Sequence, residues 1–235
     1  MACERERTAQ RRIQRVCGDD VSSLNDVLVQ EARVSIAVNG NRLVESSCSP
    51  GDLETWALGY LLSEGWIETA DEAREIRVEG GRVTIDLDRE TPCELQSASS
   101  DQTFSLAFVQ KTMGLLTRGA SLFERTGATH AVALATEDGS HVFAEDVSRT
   151  CALERAIGEA SNAGLPLDHM LAVLTSRLPE RMVEKLALCG VPVVAGVSAP
   201  TVQAVELADR MRVGLIGFAR GDRLNVYTHG WRVGL

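Results

Sequence analysis

The apolar positions of the chain fall into short runs whose period changes along the sequence. In "EARVSIAVNGNRLVES" (residues 31–46) two runs of alternating apolar and polar residues meet at Asn39-Gly40. A period of two predicts strands. The Asn-Gly pair predicts a type I′ hairpin, because both central residues of that turn need a positive φ. The period then becomes helical in "SPGDLETWALGYLLSEGW" (49–66), where Leu53, Trp56, Ala57, Tyr60 and Leu61 share one face. Ser49 is the expected N-cap, Pro50 suits the first turn, Asp52 holds the capping-box position and Gly65 ends the helix. "IRVEGGRVTIDLD" (76–88) returns to alternation and predicts a second hairpin, turning at Gly80-Gly81.

Residues 89–103, "RETPCELQSASSDQT", are polar, serine-rich and without period, which predicts a linker and a domain boundary. A helical period runs from Ser105 to about Arg125. "THAVALATEDGSHVFAED" predicts a third hairpin through Asp138-Gly139, and Thr150–Asn162 a helix. Beyond it, three strand-like runs, "MLAVLTS", "VPVVAGV" and "VGLIGFA", are separated by the helical stretches "PERMVEKLALC", closed by Gly190, and "TVQAVELADRM". This alternation predicts an α/β chain with a three-layer C-terminal domain of parallel strands over residues 103–235. A smaller N-terminal α/β domain of hairpins and a helix is expected over 23–95, behind a flexible leader at 1–22.

Composition narrows the chemistry. The 235 residues suffice for one large or two small domains, and 44% hydrophobic content supports a buried core. No apolar run approaches the length of about 18 residues needed to cross a bilayer, so no membrane partner is expected. A net charge of −9 argues against a nucleic-acid partner, and any anion site must be local. Lysine occurs at Lys111 and Lys185 alone; the remaining basic residues are arginines. The six cysteines, at 3, 17, 48, 93, 151 and 189, form no CxxC pair, so no zinc or dithiol motif is written locally. Free thiols in a reducing cytoplasm are the expectation. The leader "ERERTAQRRIQR" lacks an apolar stretch and carries Glu4 and Glu6, which suits a solvated segment rather than a targeting signal.

Candidate chemistry gathers where the strand-like runs end, because ligands of open α/β sheets bind beyond the carboxyl ends of the strands. Three endings are polar: "LTSR" (Ser176, Arg177), "SAPT" (Ser198 to Thr201) and "GFARGDR" (Gly217 to Arg223). Thr201 is placed to cap a helix starting near Val202, and a helix start favours an anion. Arg220 and Arg223 flank Gly221, and guanidinium groups bind phosphate in a bidentate manner. Ordinary capping and turn roles account for the same residues. His130 reads as a structural histidine at a strand start, Glu145-Asp146 as a charged turn before a helix, and Cys151 and Cys189 as small helix residues. Cys93, in the interdomain segment, is the thiol placed to react, though no activating partner is visible near it in sequence.

Taken in order, "EARVSIAVNGNRL", "SPGDLETWALGYLLSEGWI", "TGATHAVAL", "AEDVSRTCALERAIG", "VLTSRLPERMVEKLALCGVPVVAGVSAPTVQAVELA" and "VGLIGFARGDRLNVYTH" resemble the formate dehydrogenase accessory protein family, the FdhD-type sulfur carriers. The resemblance covers roughly residues 31–88 and 103–231. It implies a C-terminal domain of the cytidine deaminase-like fold. It also implies acceptance of sulfur, as a persulfide, from a cysteine desulfurase and its delivery to the molybdenum cofactor (bis-molybdopterin guanine dinucleotide) of formate dehydrogenase. The family's cofactor-binding stretch carries onto Phe218, Ala219, Arg220, Gly221, Asp222 and Arg223, with a guanine nucleotide as mimic. A cytoplasmic homodimer is implied as well.

The chain departs from the family pattern in three places. The family's Cys-x-x-Cys loop corresponds to the segment holding Cys93 alone. Its "EDVGRHNA" reads "EDVSRTCA", with Ser148, Thr150 and Cys151 at the changed positions, and its "SGR" reads "TSR" at Thr175 to Arg177. Two readings stand: a sulfur carrier, or a cofactor-binding paralogue, chaperone or regulator, that has lost sulfur transfer. A zinc deaminase would need an HxE and a PCxxC, and "PCELQ" at Pro92 to Gln96 lacks the second cysteine.

Overall fold

The computed structural model describes residues 7–73, 75–95 and 100–235. The first six residues of the expected leader and residues 96–99 of the expected linker lie outside the described residues. Three sheets and six α-helices are described. Strands β1 (Thr8–Cys17) and β2 (Asp20–Val29) form a separate antiparallel hairpin. A four-stranded sheet follows, in the order β4-β3-β6-β5, from β3 (Ala32–Val38), β4 (Asn41–Cys48), β5 (Ile76–Glu79) and β6 (Arg82–Ile85). Helix α1 (Leu53–Ser63) lies between β4 and β5 in sequence. The six-stranded sheet has the order β12-β11-β10-β9-β7-β8. Its strands are β7 (His130–Ala135), β8 (His141–Asp146), β9 (Leu171–Leu174), β10 (Val193–Gly196), β11 (Gly214–Arg220) and β12 (Arg223–Thr228). Helices α2 (Leu106–Arg118), α3 (Ser121–Thr126), α4 (Arg149–Asn162), α5 (Glu180–Leu188) and α6 (Val202–Arg210) surround it.

Local chemistry explains most of these elements. Asn39 and Gly40 have φ of 49° and 78°, as a type I′ turn requires. Ser105, Ser148 and Thr201 each accept a backbone N–H from three residues on and so start α2, α4 and α6. The six-stranded sheet is layered. Val132, Leu134, Ala172, Leu174, Val194 and Leu215 face α4, α5 and α6, while Ala131, Ala133, Leu171, Val173, Val193 and Ile216 face α2. Successive side chains of a strand point to opposite faces, so these nearly unbroken apolar runs fill both cores.

Helix α1 joins the two halves. Thr55 to Ser63 are all buried, and Trp56 and Leu61 are fully so. One side packs on the four-stranded sheet and the other on α4 in a continuous core. Each such large side chain stabilises the fold by about 1.5–3 kcal/mol. The two helices cross where both are glycine. A Cβ on Gly59 would stand 1.7 Å from the Glu154 carbonyl oxygen, and one on Gly158 would stand 2.0 Å from that of Thr55.

The structure corrects several expectations. From Thr8 onward the expected flexible leader is the β1–β2 hairpin, and residue 23, the expected domain start, falls inside β2. The hairpin is paired along its whole length but buries little, so its strands carry no apolar face that periodicity would register. As expected, β9, β10 and β11 are parallel and β7 and β8 form a hairpin; the sheet also carries β12, antiparallel to β11, and β7 pairs antiparallel with β9. Tight hairpins at both edges impose the antiparallel direction, and the crossover helices α5 and α6 impose the parallel one. The N-cap of α1 is Asp52, in a left-handed conformation with its carboxylate accepting from Thr55 N, rather than Ser49. The helical stretch from Ser105 breaks into α2 and α3. Glu145 and Asp146 are buried rather than a charged turn. Glu145 accepts the N–H groups of Leu122 and Phe123 at 3.0 Å each, and so holds the start of α3.

Buried ions tie the halves together. Arg155 donates to Asp146 at 2.9 Å and to the carbonyls of Ser49, Gly51 and Asp52 at 2.7–2.9 Å. Ser49, freed from capping, gives its N–H to Asp146. Lys185 of α5 reaches Glu154 at 2.8 Å and also pairs with Glu64, while Trp56 Nε1 donates to Glu154 at 2.6 Å. Burial still pushes Glu154 above the ordinary carboxylate value, outweighing Lys185.

Candidate functional site

The carboxyl ends of β9, β10 and β11 lie side by side because these strands are parallel neighbours. Strand β7 runs against β9, so its first residue, His130, arrives at the same edge. Thr175, one residue beyond β9, fixes that meeting. Its N–H donates to the Ala131 carbonyl at 3.0 Å, and its hydroxyl oxygen accepts from Ala131 N at 2.9 Å. Strand β10 continues into Val197, whose carbonyl accepts from Arg220 Nε at 2.9 Å. Helices α2 and α3 roof the edge with Val109, Gln110, Met113, Thr117 and Phe123. The half-open cavity measures about 1110 Å³, large for a small-molecule site, and combines an apolar wall with a few polar groups.

Strand β11 reaches this cavity irregularly. Its pairing with β12 shifts register between Gly217 and Arg220. Phe218 holds a left-handed φ of 52°, and its N–H donates to the Ser198 carbonyl at 3.2 Å. Such a conformation in a bulky residue costs of order 1–3 kcal/mol and persists because its surroundings impose it. Its effect is to turn Ala219 inward, 5% exposed, and to carry the Arg220–Arg223 turn over the cavity edge. The Arg223 guanidinium lies 5.6 Å from the Phe218 ring centroid.

Of the residues expected at the cofactor site, Ala219, Arg220, Gly221 and Arg223 line the cavity, together with Leu224; Phe218 and Asp222 are not among its lining residues. The other strand endings contribute differently. Leu178 N donates to Ala199 O and Thr201 N to Leu178 O, so "SAPT" is tied to the segment after β9. Thr201 caps α6, and the start of α6 does not line the cavity. Ser176 is buried and donates to the carbonyl of Arg177. His130, read in sequence as structural, stands in the cavity wall. Burial, and then the charge of Arg149, hold it below the usual histidine value. The walls from α2 and α3 were missed by sequence reasoning, although the amphipathic α2 was itself legible.

Cys93 lies elsewhere, where the segment after β6 returns to the C-terminal end of α1. Its N–H donates to the Gly65 carbonyl at 2.8 Å. Its half-buried thiol stands 3.3 Å from Glu68 Oε1, and Arg89 Nη1 donates to its sulfur. Arg89 also pairs with Glu68 at 3.1 Å, and these hydrogen bonds, Arg89 first, lower the Glu68 carboxyl. Arg89 is the charged partner that sequence did not reveal, four residues away but brought back by the turn. Among the described residues no helix is long and apolar enough to cross a membrane.

The FdhD/NarQ family model matches residues 29–100 and 87–234. The chain belongs to the FdhD/NarQ family. Family relatives include the sulfur carrier protein FdhD of Wolinella succinogenes, 28% identical over 238 residues and covering 89% of this chain and 83% of that protein. That of Streptomyces avermitilis is 31% identical, covering 97% and 96%. That of Anaeromyxobacter dehalogenans strain 2CP-C is 33% identical, covering 91% and 90%. A crystal structure described as a formate dehydrogenase accessory protein of Desulfotalea psychrophila superposes with a TM-score of 0.85 at 25% identity, covering 96% of this chain and 99% of that one. The mixed α/β architecture of this FdhD/NarQ chain is thus shared with a solved relative over nearly its whole length.

Proposed function

We propose that this FdhD/NarQ chain is a sulfur carrier that serves formate dehydrogenase. In this reading it takes sulfur from a cysteine desulfurase and delivers it to the molybdenum cofactor, whose guanine dinucleotide tail is the ligand of the cavity. The observation that carries the reading is the placement of Arg220 and Arg223 on the rim of a cavity of about 1110 Å³ at the strand ends. Two exposed guanidinium groups beside an apolar wall suit a ligand with a phosphate at one end and a planar base at the other. Thr175, Gln110 and His130 supply the polar contacts that would orient it. The C-terminal layers are read as a cytidine deaminase-like scaffold put to binding.

Cys93 is the acceptor in this scheme. Its thiolate attacks the outer sulfur of the donor's persulfide, the donor's sulfur–sulfur bond breaks and the donor thiolate leaves, so the step needs no oxidant. Arg89 donates a hydrogen bond to that sulfur and would hold it in place for the attack. The chain is further read as a cytoplasmic homodimer. The β1–β2 hairpin, whose Val16 and Val21 beside the turn are about two-thirds exposed, supports association.

The deciding experiment incubates the chain with a cysteine desulfurase, L-cysteine and pyridoxal phosphate, then maps added sulfur by mass spectrometry. One sulfur on Cys93, lost in Cys93→Ser, is expected. GDP titration by calorimetry accompanies it. Binding of GDP without any added sulfur would favour the second reading, a cofactor-binding chaperone, and absence of both would overturn the proposal.

A further inference from the structure

Cys48 and Cys151 are 103 positions apart in sequence and meet in the core. Cys48 ends β4, and Cys151 is the third residue of α4. They are 0% and 1% exposed. Ser46 and Cys48 lie on one face of β4, and that face meets α4, so the two thiols are neighbours across the contact. Arg155 Nη2 lies 3.8 Å from Cys48 Sγ, and Ser46 Oγ lies 3.4 Å from Cys151 Sγ. The Cys151 N–H donates to the Ser148 hydroxyl oxygen at 3.3 Å. Cys151 therefore sits in the first turn of a helix of 14 residues, where the helix dipole favours an anionic sulfur. The neighbouring Cys48 thiol holds Cys151 below the ordinary thiol value against the effect of burial, whereas the same pairing, with burial, pushes Cys48 up.

We propose that Cys48 and Cys151 are a redox-reactive dithiol that closes to an intramolecular disulfide under a hydroperoxide. The Cys151 thiolate attacks a peroxide oxygen and the O–O bond breaks. The hydroxide that leaves becomes water with the proton Cys151 had released, and Cys151 is a sulfenic acid. The Cys48 sulfur then attacks the Cys151 sulfur, the S–O bond breaks, and a second water leaves with the Cys48 proton. The two thiols lose two electrons and two hydrogens, and one peroxide becomes two waters. The new bond fastens the end of β4 to the start of α4, across the junction of the two halves. Both thiols are closed to solvent, so the reaction runs through local opening of that contact and accelerates in mild denaturant. It is independent of sulfur transfer at Cys93.

The test treats the full chain with hydrogen peroxide, quenches with catalase, alkylates in denaturant and maps unreduced peptides by mass spectrometry. The expected product has lost two hydrogens, yields one peptide pair joined through Cys48 and Cys151, and melts at a higher temperature until dithiothreitol is added. Dimedone should label Cys151 in Cys48→Ser and leave Cys48 unlabelled in Cys151→Ser. Full alkylation of both Cys48 and Cys151 under conditions that oxidise the exposed Cys17 would overturn the proposal, as would a sulfenic acid on Cys48 instead. The unsubstituted chain alone decides the first point, so loss of folding in a variant does not obscure it.

Discussion

Arg155, at the junction of α1 and α4, is 7% exposed and gives its guanidinium to Asp146 and to the carbonyls of Ser49, Gly51 and Asp52. Arg220, on the cavity rim, gives its Nε–H to the Val197 carbonyl and remains exposed, as does Arg223 beside it. Arg155 stands inside a helical stretch and Arg220 and Arg223 in a strand-end turn, and neither segment says by itself whether its charge is matched. The junction's charges are matched by groups of the chain itself and serve the fold. The rim's arginines are anchored at one end and face a cavity, where a ligand anion can meet them. A buried charge is tolerated where the fold supplies its partners, whereas an exposed one at a cavity is available for binding.

The largest effects are expected at the junction. Arg155→Met leaves the Asp146 carboxylate buried without its partner and should cost about 3–5 kcal/mol in urea unfolding. A loss below 1 kcal/mol would mean that the junction's charges are as dispensable as surface ones. Gly158→Ala drives a Cβ against the Thr55 carbonyl, which no rotamer change relieves. It should cost about 3 kcal/mol by the same assay, at the upper end for overpacking, and Gly59→Ala should match it because the two helices meet at one crossing.

At the rim the signs reverse. Arg220→Ala and Arg223→Ala should each weaken GDP binding by about tenfold in calorimetry, the worth of a charge-assisted contact at 1.4 kcal/mol, while leaving the urea midpoint nearly unchanged. Equal affinity in both variants would remove the rim from the binding site.

The smallest effect is one of pH. Burial first, and then Asp52, raise the Glu159 carboxyl from 4.5 to about 7. The folded chain therefore holds a proton that the unfolded chain has lost, and the resulting stability is present below pH 4.5 and disappears as the pH rises through 7. Glu159→Gln should flatten that decline and melt higher than the parent at pH 8. A parallel decline in both proteins would exclude Glu159 as its source.

Much of the fold was legible because it depends on neighbours in sequence. The Asn39-Gly40 turn, the cap at Thr201 and the apolar runs of β9, β10 and β11 are local choices of dihedral angle, hydrogen bond and face. Helix α1 was also found, though its expected single apolar face is buried all round, because periodicity reports one partner and α1 has two. The β1–β2 hairpin was read as a leader, since strands exposed on both faces leave no alternation. At the cavity, the turn from Arg220 to Arg223 was identifiable from sequence, but its walls from α2 and α3 were not, nor were the arrival of His130 or the pairing of Arg89 with Cys93.

Most strands and helices beyond residue 31, the faces that seek a core, and the two arginines that bracket a glycine at a strand end are legible in the chain alone. These follow from backbone sterics and from the free energy of removing apolar surface from water. The tertiary structure alone decided which distant groups meet: Gly59 with Gly158, Arg155 with Asp146, Cys48 with Cys151, and the rim arginines with the cavity they overlook. Those meetings depend on how layers stack, and a side chain's protonation and its openness to a ligand follow from what lies across the contact rather than from what stands beside it in the chain.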